Sequence, residues 1–370
     1  MTNLQTYRLA TEDSVITPAL VCYPEIIERN IAQMLRIAGS ANRLWVHVKT
    51  YKCPNIVRML MQSGVRHFKC ATVAEAEMVA QCGAEHALLA YPLVGPNIER
   101  FVALQQAYPN TSFYAIGDSM EALTALSATA LRCGCKVRLL MDVNTGLNRT
   151  GVAVDQLEAM YIEASQLSGL LVMGLHVYDG QRHETDVHSR RQHAQEDMAK
   201  VEAVCASLAQ KGYACELVVA GGTPSFPCHA ARQGVALSPG TCVLQDAGYA
   251  SLYPDLPFEP SALVLTRVVS HPTKNTFTLD LGYKSVAADP PIPRAVLLGY
   301  ERATTVLQNE EHWTLSLPAE TPLPAIGQVL YAIPWHICPT TALYSHMLVA
   351  KGGQIVDRWP VTARDRILGI

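Results

Sequence analysis

The sequence predicts an α/β protein in which a (β/α)8 barrel is joined to a second, C-terminal all-β domain. Three observations carry this expectation. Eight strand-like runs alternate with helical patterns over about 220 residues. After about residue 255 strands follow one another with no long helix between them. The turn after the first run reads KTYKCPN, without the G-x-G-x-x-G of an open doubly wound sheet.

The first run is RLWVHVKT. HFKCAT follows from His67, HALLAY from His86, TSFYAIG from Thr111, KVRLLMDV from Lys136, LLVMGLHVY from Leu170 and ELVVAGG from Glu216. TCVLQDA, from Thr241, is read as the eighth. Each is short, apolar or β-branched, and closed by polar residues or glycine. PNIVRMLMQSG, VAEAEMVAQCG and DSMEALTALSATALRCG lie between them with helical spacing. The second domain is read from SALVLTRVVSHP, TFTLDLG, RAVLLGY, HWTLSLP, QVLYAIP and HMLVAKGGQIVDRWPV, with the leader contributing TPALVCY. The boundaries are therefore 25–250 for the barrel, and 1–24 plus 251–370 for the β domain.

The 370 residues are 49% hydrophobic, ample for a sizeable core. A net charge of −3 without a Lys/Arg cluster argues against a nucleic-acid partner. No run of about 18 uncharged apolar residues predicts a membrane span. The start, MTNLQTYRLATEDS, does not read as a signal peptide. Eleven irregularly spaced cysteines predict reduced, mostly buried thiols in a cytoplasmic enzyme.

Barrel enzymes carry their chemistry at the C-terminal strand ends. Lys49 closes the first run, where alternation puts Trp45, His47 and Lys49 on one face. An amine in an apolar mouth is biased toward the neutral nucleophile a Schiff base requires. The alternative is a surface lysine at a strand end. Two Gly-rich turns favour the first reading. VAGGTPS follows the seventh run, with Gly222 and Thr223, and LSPGT precedes the eighth, with Gly240 and Thr241. Such turns offer backbone N–H groups and hydroxyls to a phosphate. On strand six His176 and Tyr178 share a face, and His176 reads equally as a base or as barrel packing. His183, His188 and His193 lie in a polar helical stretch and read as a solvated face. His336 and Cys338, one residue apart, would share a face if they lay on a strand. Imidazole and thiolate suit zinc, and two protein ligands leave positions open for substrate.

Taken in order, TPALVCYPEIIERNI, HVKTYKCP, KCATVAEAE, MDVNTGLNRTGV, GLHVYDG, VAGGTPSFP, SPGT, LDLGYKSVA, PWHICPTTALY and RWPVTARDR resemble the D-threonine aldolase and D-serine dehydratase family. Those are pyridoxal-phosphate enzymes with an alanine-racemase-like barrel of fold type III. The resemblance covers nearly the whole chain. It implies that Lys49 is the Schiff-base lysine and that Arg149 contacts the ring-oxygen side of the cofactor. It implies that Tyr178 lies near the cofactor, with Gly222, Thr223, Gly240 and Thr241 forming the phosphate cup. It implies that His336 and Cys338 hold a divalent metal, zinc or manganese, and that the protein is a homodimer acting on a D-amino acid. The chain departs from the family at Tyr51 and Tyr283, where histidines are frequent, and at Leu244 and Gln245, where an aromatic pair is common. Aldolase members tend to pair His with Asp, and dehydratase members His with Cys. Cys338 leans toward the dehydratase, whereas the PTTALY and VTARDR contexts lean toward the aldolase. Aldolase, dehydratase and racemase chemistry thus stay open, as does a non-catalytic cofactor-binding role.

Overall fold

The computed structural model describes residues 4–370, which form two compact units. One holds 34–49, 54–240 and 365–370, and the other holds 4–33, 50–53 and 241–364.

The first unit is the barrel. Its parallel strands run Trp45–His47, His67–Cys70, His86–Leu89, Ser112–Gly117, Val137–Asn144, Leu170–Val177, Leu217–Ala220 and Val235–Leu237, each paired with the next. A parallel bridge between Leu44 and Leu237 nearly closes the ring. So does the His47 N–H, which donates to the Pro239 carbonyl at 2.8 Å. Trp45, Leu88, Tyr114, Ile116, Leu140, Val219 and Ala236 fill the interior. Burying each of the large ones stabilises the unit by about 1.5–3 kcal/mol. Trp45 stacks on His67 at 5.1 Å and meets Tyr114 edge-on at 5.3 Å, while His86 lies 4.8 Å from His67. His67 and His86 begin their strands, so these rings occupy the N-terminal end and leave polar chemistry to the C-terminal end.

The first seven runs hold as strands, and the eighth does not. TCVLQDA is a 3-10 turn, Thr241–Val243, leading into the helix Ala247–Leu252. The eighth strand is the shorter Val235–Leu237, so SPGT follows it instead of preceding it. The cause is local: Gln245 has φ 49°, and Asp246 caps the next helix by accepting the Tyr249 N–H at 2.8 Å. The predicted helices appear as Pro54–Gln62, Val73–Gln81 and Met120–Arg132. Val73–Gln81 is capped by Thr72, whose hydroxyl accepts the Glu75 N–H, and the Glu75 carboxylate reaches back to accept the Ala71 N–H.

The second unit is mostly β. The leader strand Ala19–Cys22 pairs antiparallel with Ala262–Thr273 and parallel with His346–Lys351. Ala262–Thr273 also pairs with Val329–Pro334 and Thr276–Leu279. The core includes Val21, Leu263, Leu265, Tyr331 and Ile333. The edge strand Thr304–Gln308 escapes the sequence reading because it is largely exposed and lacks an apolar alternation. The expectation of an all-β unit is corrected by Ala247–Leu252 and a second helix, Ile337–Leu343.

The helix Pro24–Ala38 is shared between the units, and the last six residues join the barrel. There Glu77 accepts the Gly369 N–H at 3.0 Å, and the Arg100 guanidinium donates to the Ile370 carbonyl at 2.8 Å.

Candidate active site

The barrel unit brings most of the predicted residues to its C-terminal strand ends. The first strand stops at His47, and Val48–Thr50 is a 3-10 turn, so strict alternation does not extend to Lys49. Lys49 is half-buried in that turn. His47 lies beneath it, its Nδ1 2.9 Å from the Lys69 carbonyl. Burial, followed by the charges of Lys69 and Lys49, holds the His47 imidazole well below its usual pKa and therefore neutral.

Arg149 lies in the loop after strand five. Asn144 shapes that loop by accepting the N–H groups of Gly146 and Asn148. The Arg149 guanidinium stands 5.0 Å from the centroid of the Tyr178 ring. A Cβ at Gly180 would lie 2.5 Å from that ring and one at Gly222 3.1 Å, so two glycines make the slot that holds Tyr178.

The two Gly-rich turns are laced together. Thr223 Oγ1 accepts the Gly240 N–H at 3.1 Å, and Ser225 Oγ accepts the Gly222 N–H at 3.0 Å. Gly240 packs so close to strand one that a Cβ would meet His47 Cβ and its carbonyl at 2.9 Å. Behind the first turn lies a buried network that the sequence did not reveal. Asp179 accepts from Ser225 Oγ at 2.6 Å and from His229 Nε2 at 2.8 Å. It fixes Ser225, and through it the geometry of Gly222.

His176 is buried at the end of strand six, its Nδ1 2.7 Å from Asp142. Burial lowers the His176 pKa against the pull of Asp142, so the ring is neutral. Burial opposes ionisation of Asp142 too, but bonds from His176 and Thr150 and the Arg149 charge hold it below the usual carboxylate range. The consistent assignment is Nδ1–H donating to a carboxylate, with Nε2 left as an acceptor. Nε2 is buried and has no hydrogen-bond partner among the described residues. An orphaned acceptor, a glycine-lined slot, a cation over Tyr178 and two laced turns fit a phosphorylated aromatic aldehyde bound through Lys49.

Thr241, His336 and Cys338 belong to the second unit. The fully buried strand Val329–Pro334 ends just before His336, which has extended backbone and caps Ile337–Leu343. His336 and Cys338 are thus at a helix start and not on one face of a strand. The rigid Pro339 fits the first helical turn, and Asp246 accepts the Ile337 N–H at 3.0 Å. Burial pushes Asp246 up to about 6. The two side chains still meet, because His336 and Cys338 share a side-chain hydrogen bond. Asp289 accepts from His336 Nδ1 at 2.5 Å. Burial opposes protonation of His336, but Cys338 and Asp289 outweigh it and raise its pKa to about 9. Cys338 Sγ donates to Thr50 Oγ1 at 3.2 Å and lies 3.5 Å from Thr241 Oγ1. Among the described residues no group of three or more His, Cys, Asp and Glu side chains is arranged to hold a metal ion. The pair would supply two ligands of an exchangeable centre once His336 gives up the proton it shares with Cys338, with Asp289 orienting the ring through Nδ1. His183 and His188 join neither cluster, and His193 bonds Glu184 at 2.6 Å. Among the described residues no helix is long and apolar enough to cross a membrane.

The chain belongs to the alanine racemase N-terminal domain family, whose model matches residues 24–246. This defines a pyridoxal-phosphate enzyme of fold type III. A second model, described as "Putative serine dehydratase domain", matches residues 261–350. The chain is 29% identical over 357 residues to a D-threonine aldolase of Arthrobacter sp., covering 95% of this chain and 93% of that one. It is 24% identical over 372 residues to a 3-hydroxy-D-aspartate aldolase of Paracoccus denitrificans, with 96% and 94% covered. The crystal structure of D-threonine aldolase from Filomicrobium marinum superposes with a TM-score of 0.88 at 28% identity, covering 95% and 96%. These relatives are lyases, and the chain is classed with them.

Proposed function

We propose that the protein is a pyridoxal-phosphate- and divalent-metal-dependent lyase acting on a D-3-hydroxy amino acid. The reaction is that of a D-threonine aldolase: retro-aldol cleavage to glycine and an aldehyde. The observation that carries the cofactor part is Lys49 in the turn after strand one, on the same barrel end as the laced turns of Gly222–Thr223 and Gly240. When bound, the cofactor supplies an electron sink conjugated to the substrate Cα.

The side chains divide the remaining work. Lys49 would hold the cofactor through its amine. Arg149 and the Tyr178 ring fix the orientation of the aromatic ring. Gly222, Thr223 and Gly240 would hold the phosphate, and Asp179 and Ser225 keep the first of these turns in shape. His176 Nε2, kept an acceptor by Asp142, holds a proton shared with the bound molecule. His336 and Cys338 would hold the metal. Their imidazole–thiolate set favours zinc over manganese, and a metal there supplies Lewis-acid chemistry at a substrate oxygen.

One observation favours a second reading. Cys338 stands where a carboxylate would suit the aldolase pattern, and a serine dehydratase model matches its unit. In that reading Lys49 takes the Cα proton and the β-hydroxyl leaves. Products from D-threonine, with and without added metal, separate the two. Glycine with acetaldehyde is expected, and 2-oxobutanoate with ammonia would replace the aldolase reading by the dehydratase. Undiminished turnover after chelation would remove the metal from either. A cytoplasmic homodimer belongs to the same proposal.

A further inference from the structure

Lys69, next to last in strand two, is only 2% exposed. Its Nζ donates to Ser238 Oγ at 2.5 Å and stands 5.3 Å from the Tyr178 ring centroid, on the ring that also carries Arg149. It has no ion pair among the described residues. The nearby carboxylates are engaged elsewhere, Asp142 with His176 and Thr150, and Asp179 with Ser225 and His229. An ammonium has three donors, so two remain for a partner outside the protein. Burial, then the charge of Lys49, pushes the amine down to about 7.

A buried, unpaired amine is costly. Packing does not explain it, since methionine would fill a similar volume without that cost. Ser238 does not require it either, because its hydroxyl also donates to the Gly221 carbonyl at 2.8 Å. An anion brought into the barrel mouth would offset the cost. We propose that Lys69 is a cofactor-binding residue whose ammonium donates to an anionic oxygen of pyridoxal phosphate, alongside the covalent anchor at Lys49. This rests on the cofactor reading above and adds a second lysine to it.

The test is Lys69→Met in the full chain, read by thermal unfolding without cofactor and by equilibrium binding of pyridoxal phosphate and of pyridoxal. The variant freed of cofactor should melt higher than the wild type. It should bind pyridoxal phosphate roughly 10- to 100-fold more weakly, the loss of one charge-assisted hydrogen bond. A deficit shared with pyridoxal assigns the bond to the ring oxygen, and a deficit confined to pyridoxal phosphate assigns it to the phosphate; both support the proposal. Affinity within about twofold of the wild type, or a lower melting point, would overturn it in favour of a structural lysine. Should the methionine variant not fold, Lys69→Gln removes the charge while keeping a donor for Ser238, and unchanged affinity there overturns the proposal equally. A wild-type protein that binds no pyridoxal phosphate would sink the cofactor reading itself, a separable result.

Discussion

Replacing Asp142 by asparagine tests the electrostatic arrangement beneath the site. The carboxylate accepts two bonds of 2.7 Å, from His176 Nδ1 and Thr150 Oγ1, at a position only 3% exposed. Asparagine is isosteric but offers one carbonyl oxygen and one NH2. It can satisfy one donor well and must turn its amide toward the other. A hydrogen bond to a buried charged group contributes about 1.5–3 kcal/mol. Losing one and weakening the other should cost roughly 3 kcal/mol. For a unit of this size that lowers the melting temperature by about 6–12 °C. If the NH2 faces His176, the ring proton moves to Nε2 and the acceptor is lost. Calorimetry on the cofactor-free protein reads the first effect, and the 15N shifts of His176 read the second. An unchanged melting temperature together with an unchanged tautomer would refute the assignment. The wild type carries a matching pH signature. The folded pKa values of Asp142 and His176 both lie below their unfolded ones. Their contributions are therefore complete above the unfolded values and are lost as pH falls through the folded ones. For His176 the loss begins near its reference value of 6.5.

Two further outcomes follow from the same geometry. Lys49→Ala should lose the borohydride-reducible visible band of the bound cofactor, and retention of that band would mean that another lysine is the anchor. Ser225→Ala removes the acceptor of the Gly222 N–H and a donor to Asp179. It should weaken pyridoxal-phosphate affinity by about tenfold, the effect of one hydrogen bond, while pyridoxal binding is unaffected; equal losses for both ligands would show that Ser225 does not serve the phosphate turn.

Much of the fold and part of the candidate site were legible because their signals are local. Seven barrel strands end in polar or glycine residues that mark them in sequence. Lys49, Arg149, Tyr178 and Gly222 lie just after such strands, Gly240 lies in the turn after the eighth, and the motifs that contain them carry the resemblance. The eighth strand was misplaced because three residues, Val235–Leu237, carry too little pattern to compete with the apolar TCVL beside SPGT. Residues that act through long-range bonds left no mark. Asp179 and His229 are 50 positions apart and Lys69 and Ser238 are 169 apart, and no periodicity joins such pairs.

The sequence by itself determined which groups are available: an anchor lysine after the first strand, two turns for a phosphate, and an imidazole–thiolate pair. It also determined the alternation of strands and helices over the first seven barrel strands. Only the tertiary structure decided how those groups are charged and held. Burial makes His176 neutral, its bond to Asp142 leaves Nε2 as an acceptor, and Lys69 is buried without an ion pair among the described residues. A helix that begins at Ile337, whose N–H bonds Asp246, puts His336 and Cys338 at a helix start and not on one face of a strand. The reason is physical: charge state and helix capping depend on which distant groups exclude water from a side chain or bond to it. Only folding sets those neighbours.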